Sequence, residues 1–345
     1  MARIIMKKAT NYQPVVKEPK VENKQEYEPV VIKESREHSK YYYKAKKVVL
    51  GNGERDGIVF KIFLYVFLIV LSYVFLEPLL SMVFKSFMSN SDIIDPEVIY
   101  IPKAFTFKNY KIAFEIMKYW KALVNSIWFS ALLAIFQTVV SAFAGYAFAR
   151  YEFKGKKIWY GILIVTFLIP VQVLIIPRRM LISIFQKLTG ITIMSTVVPQ
   201  VVISILGQGI NSTVLILIFI NFFKQIPVAL DEAAVMDGAT TWQTFYYVIL
   251  KLSAPIIFTV FLFSFVWNWN DTTSMNFYLG GKVMLLPTQL GAFDNLFGSA
   301  NVGSRQSESY KMAGSLLSIL PLIILYIFVQ KRFVEGIEQT GMTGI

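Results

Sequence analysis

The sequence predicts an all-α, polytopic membrane protein with six transmembrane helices. Of its 345 residues, 55% are hydrophobic and only 16% are charged, whereas soluble domains carry about 25% charged residues. Six apolar stretches reach the roughly 20 residues that a helix needs to cross the hydrocarbon core of a bilayer. The basic residues behind the net charge of +12 cluster beside these stretches, as the positive-inside rule describes. The charge therefore indicates membrane topology and not a nucleic-acid partner.

The six predicted spans follow one another along the chain. They lie at roughly 60–83, 122–148, 158–181, 192–223, 255–275 and 312–331. In the fourth span, Gly207 and Gly209 predict a kink or a partly unwound turn. Proline inside a span is tolerated because neighbouring helices can satisfy the freed carbonyl groups. We expect this tolerance at Pro170, Pro177, Pro199 and Pro321.

The predicted orientation follows from the lysines and arginines in the connections. Basic clusters precede the first span, separate the second from the third and close the sixth, and all three fall on one side of a six-span protein. This side is predicted to be the cytoplasm of a bacterial cell. Both termini and residues 224–254 would then lie inside, and residues 84–121 and 276–311 outside. Arg178, Arg179 and Lys187 fall on the predicted outer side and are exceptions to the rule.

Residues 1–57 are predicted to be a disordered, basic cytoplasmic tail, which leaves residues 58–345 as the membrane domain. The tail has 13 Lys/Arg against 8 Asp/Glu and few apolar runs. Its basic residues either contact anionic lipid headgroups or simply fix topology. The chain has no cysteine, and its single histidine, His38, lies in this tail. We therefore predict no catalytic, cofactor-binding or metal-ligating residue.

Residues 224–254 form a polar, helix-prone loop between two apolar stretches, here called the 224–254 loop. Pro227 suits the start of a helix, Asp231 lies near the positive end of its dipole, and Gly238 interrupts the pattern after about three turns. A second helix with one apolar stripe follows, formed by Trp242, Phe245, Tyr246 and Ile249. Such a helix pair either lies in the lipid headgroup region or docks into a groove of a partner protein.

The residues of this loop resemble the EAA motif of carbohydrate-type ABC importer permeases. The matching positions include Glu232, Ala233, Ala234, Asp237, Gly238 and Ala239. Further similarity occurs at residues 146–156, 267–268 and 330–336, and the resemblance as a whole covers about residues 60–345. It is closest to the second membrane component of maltose-type importers. Lys251 departs from the pattern, because the family usually has proline there, and this leaves the bend after the second helix open.

The resemblance implies a permease that forms one half of a transmembrane pathway. Its protein partners would be a homologous second permease, an ABC ATPase dimer and an extracellular solute-binding protein. Membrane lipid would surround the permeases. ATP would drive alternating access, and the cargo would be a sugar, more specifically an oligosaccharide. The chain itself lacks the phosphate-binding pattern G-x-x-x-x-G-K-[ST]. ATP and Mg²⁺ would therefore be bound by the ATPase, and this chain would be neither an enzyme nor in need of a cofactor.

The resemblance also assigns roles within the loop. Glu232 would contact the ATPase groove, Ala233 and Ala234 would permit close approach of the partner, Gly238 would permit the turn, and Asp237 would fix the loop internally. In the membrane, polar side chains tend to face the bundle interior. The candidate substrate-pathway residues are Asn268, Asn270, Gln137, Gln208 and Asn211.

The predicted substrate pathway and the predicted function each have an alternative. Hydrogen bonds between helices account for the polar residues as well as a substrate pathway does. An ATPase-independent secondary sugar transporter is the alternative function, although it requires internal repeats and a midplane ion site that the sequence does not display. A membrane-embedded enzyme would need a nucleophile and a base, and no such set occurs in the sequence.

Overall fold

The structure, a computed structural model, describes residues 48–49, 57–297 and 303–341. Within these ranges the chain is helical and contains no strand, which confirms the all-α class. The predicted tail, residues 1–57, lies almost wholly outside the described residues.

The helices are labelled α1 to α14 in chain order. They are α1 Ile58–Ser86, α2 Asn90–Ile94, α3 Lys108–Ile116, α4 Tyr119–Arg150, α5 Lys156–Leu168, α6 Val171–Thr189, α7 Val198–Ile205, α8 Ser212–Gln225, α9 Val228–Met236, α10 Thr241–Leu252, α11 Ala254–Asn270, α12 Thr272–Leu279, α13 Gly291–Phe297 and α14 Gly303–Gly341. A 3₁₀ turn, Pro287–Leu290, precedes α13.

The chain divides into two compact units, Met1–Ser72 and Tyr73–Ile345. The described part of the first unit consists of residues 48–49 and 57–72, which include the N-terminal half of α1. Its large apolar side chains are exposed, as expected of a surface that faces lipid tails and not a protein core. All the candidate site residues lie in the second unit.

Within the residues that the structure describes, three helices are each long and apolar enough to cross a membrane, and three bent helix pairs bring the possible total to six. The single helices are α1, α4 and the segment Ser307–Lys331 of α14, which contain the predicted first, second and sixth spans. Pro78 and Pro321 lie inside α1 and α14 without ending either helix. The predicted tolerance of proline is therefore confirmed at Pro321.

The predicted third span, 158–181, is not one continuous helix. α5 ends at Leu168 and α6 begins at Val171, with a bend of 104° between the two axes. Ile169 has an extended backbone, with φ −84° and ψ 115°, because the ring of the following Pro170 disfavours helical geometry there. Pro170 therefore lies at a break between two helices and not inside one continuous helix, and α6 is nearly perpendicular to α5.

The predicted fourth span, 192–223, contains the turn expected from its glycines. α7 ends at Ile205, α8 begins at Ser212, and the residues between them form turns. Gly207 and Asn211 have positive φ angles of 68° and 51°, a region that glycine and asparagine tolerate better than other residues. Pro199 lies in the first turn of α7, a position where its missing N–H costs nothing.

α4 is the central helix of the second unit. It packs along α8 and α11, and Ala142 and Tyr146 of α4 share one apolar core with Phe219 and Phe223 of α8. The approach is close at Gly145, where an added Cβ would lie 2.4 Å from Cβ of Phe219. Glycine is required there because any larger residue would push the two helices apart.

The fifth predicted span begins after a bend that the sequence left open. α10 ends at Leu252, and α11 begins at Ala254 with a change of direction of 79°. Pro255 occupies the first turn of α11, where proline favours helix initiation. The bend therefore forms with Lys251 in place of the family's usual proline.

Candidate functional site

The first helix of the 224–254 loop ends in a turn that needs glycine. The N–H groups of Asp237, Gly238 and Ala239 donate to carbonyl groups in the last turn of α9 at 2.9–3.0 Å. Gly238 has a φ of +84°, which is strained for any residue with a Cβ. The predicted interruption at Gly238 is confirmed as a helix C-terminal turn.

The second helix begins with a capping box and continues with an irregular segment. Thr240 and Gln243 exchange hydrogen bonds between side chain and backbone N–H, which satisfies two N–H groups that the helix leaves free. Residues 244–249 then form a π-helix, in which Leu250 N–H donates to Phe245 O, five residues back. π-helical segments are rare and often occur at functional sites.

The π-helix divides the apolar stripe that the sequence predicts. Phe245 and Ile249 are buried against α4, α8 and α11, whereas Trp242 is 60% exposed and Tyr246 53% exposed. The prediction of one continuous stripe assumed an α-helical period, and the wider π turn rotates the residues away from it. Two aromatic side chains are therefore left on the loop surface, with Trp242 stacked on Phe143 at a centroid distance of 5.6 Å.

An ion pair ties α9 to the end of α4. Arg150 Nη2 donates to Ile226 O at 2.8 Å, and Arg150 Nε lies 2.9 Å from Asp231 Oδ2. The second contact has the distance of an ion pair but not the angle of a hydrogen bond, since Nε has no hydrogen-bond acceptor among the described residues. The two side chains are only 8% and 18% exposed. Burial raises the pKa of Asp231 above its ordinary value, although the Arg150 charge opposes this shift.

The predicted EAA residues divide between the two sides of α9. Glu232, Ala233, Asp237 and Gly238 are exposed, and Ala239 is partly buried. Ala234 is 9% exposed and packs inside the chain, so it does not offer the close approach to a partner that the resemblance implied. The small side chain instead lets α9 lie close to the rest of the loop.

One face of α9 is exposed and largely apolar. Val228, Glu232, Val235 and Met236 recur at i, i+4, i+7 and i+8, and all four are exposed, Met236 to 86%. These four residues are here called the α9 face, and they share one side of the helix. Of these four residues the sequence motif points only to Glu232, although Val228, Val235 and Met236 also recur at helical spacing. The Arg150–Asp231 pair left no such signal, because its two members are far apart in the sequence.

Two of the predicted pathway residues belong to a buried polar cluster that joins three helices. The cluster consists of Gln137 of α4, Ser212 of α8, and Ser264 and Asn268 of α11, all buried. Gln137 Nε2 donates to Ile210 O at 3.1 Å and to Ser212 Oγ at 2.9 Å. Gln137 Oε1 accepts from Ser264 Oγ at 2.5 Å and from Asn268 Nδ2 at 2.6 Å. Both ends of the Gln137 amide are thus occupied by protein groups.

Two further pathway residues line a cavity. Gln208 and Asn211 lie in the turns between α7 and α8, and this segment faces the break at Pro170 across a cavity of about 450 Å³. Gln208 Oε1 accepts a hydrogen bond from Arg178 Nη2 at 3.2 Å. The fifth candidate, Asn270, is exposed at the end of α11, and its Nδ2 donates to Val266 O in its own helix.

Comparisons with known proteins identify a matching family. The sequence profile of the binding-protein-dependent transport system inner membrane component matches residues 137–339. This range includes the 224–254 loop, the polar cluster and Gln208 and Asn211.

Several curated relatives are similar over most of the chain. The arabinooligosaccharides transport system permease protein AraQ of Halalkalibacterium halodurans is 25% identical, over 79% of this chain and 93% of AraQ. The diacetylchitobiose uptake system permease protein DasC of Streptomyces coelicolor is 26% identical, over 77% of this chain and 91% of DasC. The trehalose transport system permease protein SugB of Mycobacterium tuberculosis is 29% identical, over 71% and 84%.

A solved structure shares the fold. It is the crystal structure of a bacterial ABC transporter involved in the import of the acidic polysaccharide alginate, and one of its chains matches with a TM-score of 0.64. The match has 21% sequence identity and covers 80% of this chain and 96% of that chain.

Proposed function

This chain belongs to the family of binding-protein-dependent transport system inner membrane components, and we propose that its cargo is an oligosaccharide and that its 224–254 loop docks on the ATPase. Membership makes the chain a permease subunit of an ABC importer, without a nucleotide-binding site of its own. The proposed cargo is supported by the relatives, which are named for arabinooligosaccharides, diacetylchitobiose and trehalose.

The proposed partners follow from what this subunit lacks. A second, homologous permease would complete the pathway, an ATPase dimer would bind ATP and Mg²⁺, and an extracellular solute-binding protein would deliver the sugar. In this arrangement both termini and the 224–254 loop face the cytoplasm. Nucleic acid is not among the proposed partners.

The observation that supports docking best is the α9 face. An exposed row of Val228, Val235 and Met236 around one carboxylate is unfavourable in water, and it suits the groove of a protein partner, as other helix-in-groove contacts do. Glu232 forms no ion pair within the residues that the structure describes. Its carboxylate is therefore free to pair with a basic group of the ATPase.

The Arg150–Asp231 pair supplies a route from the docked helix into the membrane. A displacement of α9 would pull on the C-terminal end of α4 through this pair and through the hydrogen bond from Arg150 to Ile226. Gln137 lies 13 residues earlier in α4, about 20 Å along the helix axis. There it holds α8 and α11, so a movement of α4 is shared with α11 and with α8, which lines the cavity.

Site-specific cross-linking tests the docking. Because the chain has no cysteine, a Met236→Cys variant has a single reactive thiol on the α9 face. In the assembled importer, a thiol-to-amine cross-linker should join this variant to the ATPase. Leu188→Cys is the matched control, because Leu188 of α6 is 81% exposed but lies outside the loop. Equal cross-linking of both variants, or none at position 236, would contradict docking through this face.

A further inference from the structure

The cavity lies where two membrane helices are interrupted. Its wall consists of the break around Pro170 on one side and residues 206–213 on the other. A volume of about 450 Å³ falls within the range of about 300–1,000 Å³ that small-molecule sites occupy. Interrupted helices of this kind form the substrate sites of several unrelated transporters.

Helix lengths indicate how far the cavity lies from the opposite ends of the two helices. α5 has 13 residues before its break and α8 has 14 residues after its start, so each covers about 20 Å between the cavity and its opposite end. The hydrocarbon core is about 30 Å thick. The distance of about 20 Å from the cavity to the far end of either helix is thus shorter than the hydrocarbon core is thick.

The wall of the cavity is electrically positive. α6 and α8 both begin at it, and neither helix has a side-chain hydrogen bond that caps its first turn. The N-termini of both helices thus face one space and bring to it the partial positive charge of each helix dipole, although the N–H groups of Val173, Ser212 and Val214 already donate to nearby carbonyl groups. Arg178, in the second turn of α6, adds a full charge, because its side chain also lines the cavity.

No acidic side chain balances this charge. The lining residues, all of them described by the structure, include no aspartate or glutamate. Arg178 forms no ion pair within the described residues, and its polar contacts there, with Gln208 and with the Tyr278 hydroxyl, are to neutral groups. An ionised side chain at membrane depth is costly and usually marks a ligand or ion pathway.

The remaining groups suit a sugar. Gln208, Gln172 and Asn211 supply amide donors and acceptors for hydroxyl groups, while Phe167 and Leu206 supply apolar surface for the C–H faces of a ring. The cavity therefore combines positive charge with the groups that hold neutral sugars.

We propose that this cavity binds a negatively charged group of the transported sugar, namely the carboxylate of a uronic acid unit, with Arg178 as its main partner. The inference rests on the proposed function, since it assigns a substrate class to that pathway. A phosphate of a lipid headgroup shares the anionic chemistry, so the experiment must separate the two sources.

Binding to the complete importer in lipid nanodiscs tests the proposal. Labelled trigalacturonate and the neutral trisaccharide maltotriose are titrated into wild-type complexes in nanodiscs of zwitterionic phosphatidylcholine. Wild type should bind trigalacturonate about ten- to a hundredfold more tightly than maltotriose, the factor that a hydrogen bond to a charged group provides. Equal binding, or a preference for maltotriose, would overturn the proposal without requiring any variant.

Two neighbouring arginines provide matched variants. Arg178→Gln should abolish the preference for trigalacturonate, and Arg178→Lys, which keeps the charge, should retain most of it. Arg179→Gln removes the same charge one residue further on, where the guanidinium lies 5.0 Å from the ring centre of Phe277 and outside the cavity. This control should leave the preference unchanged. An unchanged preference in Arg178→Gln would overturn the assignment of Arg178.

A lipid phosphate as the bound anion predicts a different experimental result. If wild type binds neither sugar in phosphatidylcholine and retains phosphatidylglycerol on purification through Arg178, the cavity is a lipid site and the proposal is overturned. The proposal of a charged substrate can fail while the proposed importer function stands. An importer that still cross-links to its ATPase through Met236→Cys and takes up a neutral oligosaccharide with ATP would keep the proposed function and lose only the charged substrate.

Discussion

Gln137 and Gln208 have the same side chain and lie near each other in the bundle, but their surroundings differ. Gln137 is fully buried, and protein groups occupy both its oxygen and its nitrogen. Gln208 lies on a cavity, and among the described residues its side chain has one hydrogen bond, from an arginine without an acidic partner there. A polar side chain among the membrane helices thus holds helices together when other protein groups occupy its hydrogen-bonding atoms. It is available to a ligand when some of those atoms remain unoccupied. Substitutions at both kinds of position test this difference.

The largest expected effect is at the Arg150–Asp231 pair, where the two paired groups carry full charges. Arg150→Met should lower the free energy of unfolding by about 3 kcal/mol, because it leaves Asp231 buried and unpaired. The raised pKa of Asp231 should rise further once the opposing charge is lost. A carboxyl with a raised folded-state pKa destabilises the fold most when it is ionised, so the loss should be smallest in acid and grow as the pH rises through that pKa.

Reversible unfolding in mixed micelles over a range of pH measures this effect. The control is the double variant Arg150→Met/Asp231→Leu, which replaces the pair with apolar groups and should recover most of the stability and remove the pH dependence. A loss in the single variant that does not change with pH would show that Asp231 is not the group left unpaired.

The next effect is at the centre of the polar cluster. Four hydrogen bonds end on the Gln137 side chain, and such bonds contribute about 0.6 kcal/mol each inside membranes. Gln137→Leu should therefore lower the free energy of unfolding by about 2 kcal/mol in the same micelle assay. Wild-type stability in this variant would mean that the cluster does not join the helices.

A smaller loss is expected from Gly209→Ala. An added Cβ would lie 2.0 Å from Gln137 Nε2, so the amide must move and weaken its hydrogen bonds. We expect a loss of about 1 kcal/mol, because the displaced atoms are at the end of a flexible side chain. Gly161→Ala in α5 is the control, since nothing lies within 4 Å of its added Cβ and alanine favours a helix. Gly209→Ala should lower the free energy of unfolding, whereas Gly161→Ala should raise it.

The smallest effect on stability is expected at the cavity. Gln208→Leu should change the free energy of unfolding by less than about 0.5 kcal/mol, as exposed sites usually do. The same substitution should weaken binding of trigalacturonate in nanodiscs, because it removes a polar group from the cavity wall. The contrast with Gln137→Leu, which makes the same chemical change, is the direct comparison of the two sites. A large loss of stability in both Gln137→Leu and Gln208→Leu would show that the two glutamines do not differ in their structural role.

Much of the fold follows from the sequence, because hydrophobic length and basic flanks respond to the membrane itself. The three continuous spans, the glycine turn at 207–209 and the end of α9 at Gly238 all agree with prediction, and the residues of the loop identify the family. The break at Pro170 does not, because a span broken by proline and a kinked one look alike in composition.

The site was less predictable, because it depends on contacts between distant residues. Gln137 and Asn268 both looked like pathway residues, and only packing brings them together. The π-helix at residues 244–249 shifts hydrogen bonds without altering the apolar pattern, so the exposure of Trp242 and Tyr246 could not be foreseen. In the sequence Arg178 is only an exception to the positive-inside rule, and the structure gives that exception a location in the cavity wall.

A sugar permease that is driven by a separate ATPase should transport only while that ATPase hydrolyses ATP. Uptake of labelled oligosaccharide into proteoliposomes that contain the complete importer tests this requirement most directly. We predict uptake that requires both ATP and the binding protein and stops when hydrolysis is blocked with vanadate. Uptake driven by a proton or sodium gradient in the absence of ATP would contradict this claim and favour a secondary transporter.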